Sequence, residues 1–233
     1  MSYEFRVFLK LDEHCEASIA VLQGLGWSAK EGQEEVREDE YVALKSDVVG
    51  AKRRAGKKWE AKFRCGHDEQ SGIERFVKRK YGKKGGLDAH VLELSDTLTE
   101  LGLAWDGSPD FKGRSILLAK RRQMLAVAGK SSCSLEVCLV TCKSREPWET
   151  WASISVESDS LQDVKDELAH SKYRNLFDHV RSISASSSRS WMLGGYPRFV
   201  RLLDQGLSDE EFEHMGRSIT MTTSIETTEV PLP

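Results

Sequence analysis

The sequence predicts a protein of the α+β class that is mainly β, built on an antiparallel sheet with peripheral helices. Residues 3–11 alternate apolar and mostly polar side chains, which is the period of a half-buried strand. About eight strand-like segments occur along the chain, and most of their connections are short, as antiparallel pairing allows. These segments do not alternate regularly with helices, so a doubly wound parallel sheet is not expected.

The N-terminal part of the chain is expected to form one helix and five strands. Residues 14–24 place apolar side chains at helical spacing, and Gly24 and Gly26 end the pattern. Gly56 is predicted to form the turn between two neighbouring strands. The five predicted strands cover 3–11, 34–44, 50–55, 58–65 and 73–80.

The C-terminal part is expected to form three helices and three more strands. Leucines at helical spacing predict a helix over 87–102, which Gly102 ends. A second helix is predicted over 159–182, and a short one follows Gly194 and continues through Leu203. The three predicted strands cover 114–127, 133–143 and 149–157.

The chain is predicted to form a single domain over residues 1–207, followed by a C-terminal extension over 208–233. A serine-rich loop is expected at 184–190, and 208–215 has the pattern of one more helical turn. The tail from Ser218 is rich in threonine and contains two prolines, so partial disorder is expected there.

The composition excludes several classes of protein. The 233 residues include 34 Lys and Arg and 37 Asp and Glu, a net charge of −3, which is unlike a polycation that coats nucleic acid. No apolar run approaches the roughly 20 residues of a membrane helix, so no membrane partner is expected. The five cysteines contain no C-x-x-C pair and the start of the chain has no apolar signal segment, which favours reduced thiols and a cytoplasmic location.

The charges are distributed unevenly along the chain. Residues 1–51 carry 5 basic and 11 acidic side chains, whereas residues 52–84 carry 13 basic and 4 acidic ones. Within 58–65, Glu60, Lys62 and Arg64 share one face of the predicted strand, and apolar residues occupy the other. The charged side chains of this strand therefore alternate with apolar ones, so that each kind falls on its own face.

Two structures are compatible with this parity. The charged face is the solvated side of an open antiparallel sheet, or it points into a closed barrel whose apolar outside is covered by the helices. In the barrel, buried unpaired charges need bound anions or water to be tolerated. Arg and Lys on facing strands would bind phosphate oxygens, and a few Glu side chains would hold Mg²⁺ or Mn²⁺.

Several segments together resemble one known family. They are Arg37-Glu38-Asp39-Glu40-Tyr41, GAKRRAGKKWEAKFR, GIERFVKRKYG, TWASISVES and GGYPRFVRLL, which span residues 3–203 with the first strand. In this order they resemble the CYTH superfamily, the triphosphate tunnel metalloenzymes. The resemblance implies an eight-stranded antiparallel closed barrel, or tunnel. It also implies a divalent-metal-dependent hydrolase acting on triphosphate compounds such as inorganic triphosphate, thiamine triphosphate, nucleotides or RNA 5′ ends.

Thirteen residues are candidates for the site, ten of them from the resemblance and three, Arg6, Glu74 and Lys78, from their places in the predicted strands. Those expected to bind a polyphosphate or other phosphorylated small molecule are Arg6, Lys52, Arg54, Arg64, Lys78, Lys120 and Arg122. Those expected to act in catalysis are Glu60, Lys62 and Glu74, and those expected to hold Mg²⁺ or Mn²⁺ are Glu4, Glu136 and Glu157.

The first strand departs from the family pattern. The family has Glu-x-Glu-x-Lys there, whereas this chain has Glu4-Phe5-Arg6-Val7-Phe8. Ser155 likewise stands where a second carboxylate is often found. An alternative is therefore a catalytically degenerate protein that binds phosphorylated ligands without turnover.

A third alternative is an RNA-binding module centred on 52–84, with Trp59, Phe63, Phe76 and Tyr81 as stacking platforms. Trp59 and Phe63 alternate with Lys62 and Arg64, so aromatic and cationic side chains fall on opposite faces of the strand. Nucleic acid is therefore not expected as a partner except as an RNA 5′ triphosphate. The sequence leaves the oligomeric state open.

Overall fold

Eight strands of the described chain close into an antiparallel barrel. The structure is a computed structural model that describes residues 1–11, 15–27, 34–54, 57–82, 85–105, 111–127, 132–143, 148–184 and 191–205. The barrel strands are β1 Ser2–Lys10, β2 Glu35–Ala43, β3 Val49–Arg54, β4 Trp59–Asp68, β5 Ile73–Lys80, β6 Arg114–Ala126, β7 Ser134–Cys142 and β8 Glu149–Ser158. The predicted fold class, a mainly β protein on a closed eight-stranded barrel with peripheral helices, is confirmed.

The barrel closes through β1. The strand order is β5-β4-β3-β2-β6-β7-β8-β1, and β1 pairs with β8 along one edge and with β5 along the other. The second pairing sets Glu4 opposite Glu74. Further along the same edge, a ninth strand, β9 (Trp191–Leu193), pairs antiparallel with residues 7–9. Each ladder is antiparallel, so alternate side chains of every barrel strand face the lumen.

Helices cover the apolar outside of the barrel in two places. The described α-helices are α1 Cys15–Gly24, α2 Val91–Glu100, α3 Leu161–Leu168, α4 Arg174–Ser184 and α5 Tyr196–Gln205. Of these, α2 and α4 pack on the outside of the barrel. The outward side chains of β4, Trp59, Ala61 and Phe63, are buried in a cluster with Leu94 and Leu98 of α2. On the other side, Phe5 and Phe177 of α4 meet edge to face with ring centroids 6.0 Å apart.

Helix α5 packs against the inward face of the barrel instead of the outside. Phe199 stacks on the lumen side chain Phe8 with ring centroids 3.9 Å apart, and Tyr196 stacks on Tyr41 at 5.3 Å. The start of the helix passes so close to β3 that a Cβ on Gly50 would lie 2.5 Å from Pro197 Cγ. The helix therefore fills the apolar half of the lumen and leaves the charged half open.

The structure differs from the sequence prediction in three elements. The helix predicted over 87–102 begins with a 3-10 turn, Leu87–His90, and is α-helical only over Val91–Glu100. The helix predicted over 159–182 is interrupted between α3 and α4 by a 3-10 turn, Ser171–Tyr173, which directs the fully buried Tyr173 into the core. Strand β9 is three residues long, too short for its alternation to be recognised. The predicted turn at Gly56, most of the loop at 184–190 and the whole extension over 208–233 lie outside the described residues.

Candidate functional site

The charged half of the lumen encloses a cavity of about 180 Å³. Inward-facing positions of the strands supply most of its walls, and the first residues of α5 close it on one side. Among the described residues, seven cations and four carboxylates line it, a formal excess of three positive charges. The lining residues are Glu4, Arg6, Arg37, Tyr41, Gly50, Lys52, Arg54, Glu60, Lys62, Lys78, Arg122, Glu136, Glu157, Tyr196 and Pro197.

Arg6 lies at the centre of the charged half, with only 4% of its side chain exposed. Its Nε donates to Glu4 Oε1 at 2.8 Å, and its Nη1 donates to Glu136 Oε1 at 2.8 Å and to Ser153 Oγ at 2.6 Å. Its guanidinium also lies 4.7 Å from the centre of the Tyr196 ring. Burial alone lowers the pKa of Arg6, but Glu4 and Glu136 outweigh burial and raise that pKa well above its ordinary value.

Glu4 is 1% exposed and joins Arg6 to the next cation, since its second oxygen accepts a hydrogen bond from Lys62 Nζ. Burial raises the pKa of Glu4, yet the charges of Lys62 and Arg6 hold it well below its usual range. Glu4 is therefore a carboxylate at neutral pH, with a cation on each oxygen.

Glu136 has the same arrangement on the other side of Arg6. Its second oxygen, Oε2, lies 3.0 Å from Arg122 Nη1, and Arg122 Nε lies 2.7 Å from Glu35 Oε2. Although burial raises the pKa of Glu136, the charges of Arg6, Lys120 and Arg122 lower it to about 2. Opposite charges thus alternate across the lumen, and we call the sequence Lys62, Glu4, Arg6, Glu136, Arg122 the charge chain.

Asp39 organises a second group of charges deeper in the wall. It is fully buried, and its Oδ2 lies 3.2 Å from Lys120 Nζ and 3.3 Å from Arg37 Nε. Lys120 also donates to Tyr41 Oη at 2.6 Å. Burial and the neighbouring charge of Lys52 lower the pKa of Lys120 to about 7, against the opposing effect of Asp39. Burial thus favours the neutral form of this lysine, whereas its contact with Asp39 favours the charged form.

Cations nearer the opening of the cavity have looser or more exposed contacts. Arg54 Nε lies 3.7 Å from Asp39 Oδ1, and 41% of the arginine side chain is exposed. Lys52 Nζ lies 3.4 Å from Glu60 Oε1. Lys78, which is 44% exposed, pairs with Glu157. Because hydration and partial pairing hold these side chains less firmly, they can reorient toward an incoming anion.

A basic groove adjoins the cavity. It has a volume of about 350 Å³ and shares Lys52, Arg54 and Glu60 with the cavity. Its remaining lining residues among those described are Arg53, Lys57, Lys58 and Lys80, so Glu60 is its one carboxylate. We call this surface the basic mouth.

The structure brings most of the predicted site residues together. Ten of the thirteen line the cavity: Glu4, Arg6, Lys52, Arg54, Glu60, Lys62, Lys78, Arg122, Glu136 and Glu157. Arg64, Glu74 and Lys120 do not. Lys120 is enclosed in the wall behind Tyr41 and Tyr196, and its Nζ lies 3.5 Å from the Tyr196 ring centre.

Arg64 and Glu74 form a separate group at the start of α5. Arg64 contacts Glu74 Oε1 at 3.1 Å and Asp47 Oδ1 at 2.7 Å, and Asp47 Oδ2 in turn lies 3.2 Å from Arg198 Nε. Gly195 N donates to Glu74 Oε2 at 2.6 Å. These contacts hold the helix against the barrel, so we assign Arg64 and Glu74 to anchoring α5.

Four residues near the cavity were missed by the sequence prediction: Arg37, Asp39, Tyr41 and Tyr196. The first three alternate on the inward face of β2, as lumen residues should, but Glu38 and Glu40 between them carry charge on the outward face as well. That strand therefore shows no contrast between its faces, and parity alone did not single out these side chains.

The residues predicted to hold a divalent metal do not fit one in this arrangement. A divalent ion needs several free oxygen ligands, at about 2.0–2.1 Å for Mg²⁺. Both oxygens of Glu4 and of Glu136 contact cations, and Glu157 pairs with Lys78. Within the described residues no group of three or more His, Cys, Asp or Glu could hold a metal ion.

The aromatic residues of the RNA-binding alternative are not available for stacking. Trp59 and Phe63 are buried on the outside of the barrel beneath α2, and Tyr81 lies in the same cluster. Phe76 is 1% exposed, and Lys62 Nζ lies 4.1 Å from its ring centre. An intact barrel therefore offers none of these four rings to a nucleic acid base.

The fold and the cavity define a closed antiparallel barrel with a predominantly cationic interior. The chain matches no protein-family model, and no curated protein matches it significantly. Among the described helices, none combines the length and the apolar character that crossing a membrane requires. The described cysteines Cys65, Cys133, Cys138 and Cys142 are free thiols.

Proposed function

We propose that this protein binds a small polyphosphate or a phosphorylated molecule inside the barrel, without turnover. The observation that carries the proposal is the excess of cations over carboxylates around the cavity. Arginine and lysine form charge-assisted hydrogen bonds with phosphate oxygens, and the arginine fork contacts two of them at once. A compact, highly charged anion is the ligand that compensates such a surface.

The contacts around the cavity indicate which cations bind the ligand. Arg6, Lys62 and Arg122 are already held by the carboxylates of the charge chain, so they supply a fixed positive field. Lys52 and Arg54 have longer contacts with carboxylates, 3.4 Å and 3.7 Å. We therefore assign direct phosphate contact mainly to Lys52 and Arg54, at the point where the cavity joins the basic mouth.

The size of the cavity limits what enters it. Pockets for drug-sized ligands are usually about 300–1,000 Å³, whereas this cavity is about 180 Å³. A phosphoryl chain fits this space better than a nucleoside does. The basic mouth would then hold whatever part of the ligand remains outside.

Metal-dependent hydrolysis of the same ligand stays a prediction from the resemblance to the CYTH superfamily, as does membership of that superfamily. Glu60 and Lys62, to which that prediction assigns catalytic roles, both line the cavity. The paired state of Glu4, Glu136 and Glu157 is the observation that favours binding over turnover. We also propose a cytoplasmic location, because free thiols suit a reducing compartment.

The proposal is tested by titrating the protein with inorganic triphosphate in a calorimeter. Arg54→Gln should weaken binding about tenfold or more, since hydrogen bonds to charged groups contribute about 1.5–3 kcal/mol. Arg79→Gln is the matched control: it removes the same charge, its arginine is 43% exposed against 41% for Arg54, and it pairs with Glu100 away from the cavity. Its affinity should equal that of the wild type.

Three results would contradict the proposal. Absence of triphosphate and pyrophosphate binding would refute an anion site. Equal losses in Arg54→Gln and Arg79→Gln would place binding on the surface instead of in the lumen. Phosphate release with Mg²⁺ or Mn²⁺ that stops in Glu60→Gln would establish the hydrolase prediction in place of binding alone.

A further inference from the structure

Arg6 occupies the space between the two carboxylates that face each other across the charged half of the lumen. Its guanidinium donates at 2.8 Å to Glu4 Oε1 and at 2.8 Å to Glu136 Oε1. The bond from Nη1 to Ser153 Oγ, at 2.6 Å, fixes the plane of the guanidinium. Glu4 and Glu136 come from different strands, β1 and β7, so Arg6 bridges strands that do not pair with each other.

The cation between these carboxylates is permanent. The pKa of Arg6 lies well above its ordinary value because the effects of Glu4 and Glu136 outweigh burial. An arginine does not lose its proton in the accessible pH range. A divalent ion entering this position would therefore meet a fixed positive charge a few ångströms away, which opposes its binding.

The outer oxygens of both carboxylates are also engaged. Glu4 Oε2 accepts from Lys62, and Glu136 Oε2 contacts Arg122 at 3.0 Å. A metal ion bound by either carboxylate would have to displace a cation and leave that cation without its partner. Breaking a buried pair in this way is strongly unfavourable, because it leaves an uncompensated buried charge.

We propose that Arg6 is the resident cation of the lumen and takes the place of a divalent metal. It holds Glu4 and Glu136 apart, and these in turn position Lys62 and Arg122 around the cavity. Anion binding in the cavity then needs no metal ion. The exclusion of a divalent metal follows from the charge chain alone, whereas anion binding without a metal ion rests on the proposed function.

The experiment uses Mn²⁺ as the probe, titrated into the metal-free full-length chain and followed by electron paramagnetic resonance. The wild type should show no saturable site tighter than about 1 mM. Arg6→Gln keeps a hydrogen-bonding side chain and removes the charge between the carboxylates. We expect it to bind one Mn²⁺ at least about tenfold more tightly than the wild type.

Arg79→Gln is again the control, because it changes the net charge by the same amount outside the lumen and should bind Mn²⁺ as the wild type does. A wild-type Mn²⁺ site that is lost in Glu136→Gln would overturn the proposal. A folded Arg6→Gln variant with no gain in Mn²⁺ affinity would overturn it too. The wild-type titration decides the question on its own if the variant does not fold.

A separate titration tests the link to ligand binding. Triphosphate should bind in the presence of EDTA with an affinity no weaker than in Mg²⁺, whereas binding that requires Mg²⁺ would refute metal independence. If triphosphate does not bind under either condition, the proposed function fails, and the Mn²⁺ result is unaffected. The two proposals can therefore fail separately.

Discussion

Replacing Phe199 by Ala tests whether α5 fills the lumen. Phe199 is 0% exposed, stacks on Phe8 at 3.9 Å and meets Trp151 edge to face at 5.4 Å. Removing a phenylalanine from a packed core costs about 3–5 kcal/mol, which combines the lost transfer free energy with the cavity left behind. The neighbouring barrel strands cannot collapse onto that space without breaking ladder hydrogen bonds, so we expect the free energy of unfolding to fall by about 4 kcal/mol.

The measurement is a urea titration at 25 °C followed by tryptophan fluorescence and by circular dichroism, whose transitions must coincide for the free energies to be comparable. Leu202→Ala is the control: it lies on the same helix, is only partly buried and should cost about 1 kcal/mol. Equal losses for Phe199→Ala and Leu202→Ala would show that α5 does not pack inside the barrel. The explanation of why only half of the lumen is open would then be wrong.

Three further changes test the surroundings of the cavity. Gly50→Ala should lower the free energy of unfolding by about 1–3 kcal/mol, because the new Cβ would lie 2.5 Å from Pro197 Cγ. Adding Pro197→Ala should recover much of this loss in thermal melts. If the losses of the two substitutions simply add, the contact is contradicted. Glu74→Gln should cost about 1.5–3 kcal/mol, since it weakens a charged hydrogen bond to the Gly195 amide; an unchanged melting temperature would contradict its role as an anchor. In the folded protein the pKa of Lys120 is lowered to about 7. Between pH 7 and the ordinary pKa of lysine, the unfolded chain therefore binds more protons than the folded one. Over that range the contribution of Lys120 to the free energy of unfolding rises with pH. This rise, of up to about 1.4 kcal/mol per pH unit, should be absent from Lys120→Met in urea titrations from pH 7.5 to 9.5. If the free energy of unfolding has the same pH slope in the wild type and the variant, the lowered pKa is refuted.

Strand parity was predictable because it is a local property. In β4 the charged and apolar positions differ clearly, so the sequence placed Glu60 and Lys62 on one face and Trp59 on the other, and both assignments agree with the structure. The same property failed in β2, where Glu38 and Glu40 give the outward face the same charged character as the inward one. Parity is informative only where the two faces differ in chemistry.

Depth along the barrel was not predictable from the sequence. Arg64 follows Lys62 by two residues and shares its face, yet it lies beside Asp47 and Glu74 at the start of α5. The stagger between strands decides which inward residues stand at the same level, and that stagger depends on pairings between distant parts of the chain. The position of α5 inside the barrel could not be predicted either. An amphipathic helix has the same sequence pattern whether it packs on the outside or on the inside of a barrel.

The carboxylates of the lumen decide how tightly an anion can bind. In the charge chain, three cations alternate with two carboxylates, so these side chains compensate much of one another's charge. The same pairing removes part of the attraction for phosphate, since an incoming anion competes with Glu4 for Lys62 and with Glu136 for Arg122. The net gain on binding therefore comes from the cations with the longest contacts, Lys52 and Arg54. These lie where the cavity meets the basic mouth, at the edge of the solvent. Affinity should therefore fall as salt screens them, whereas the buried pairs of the charge chain are screened much less.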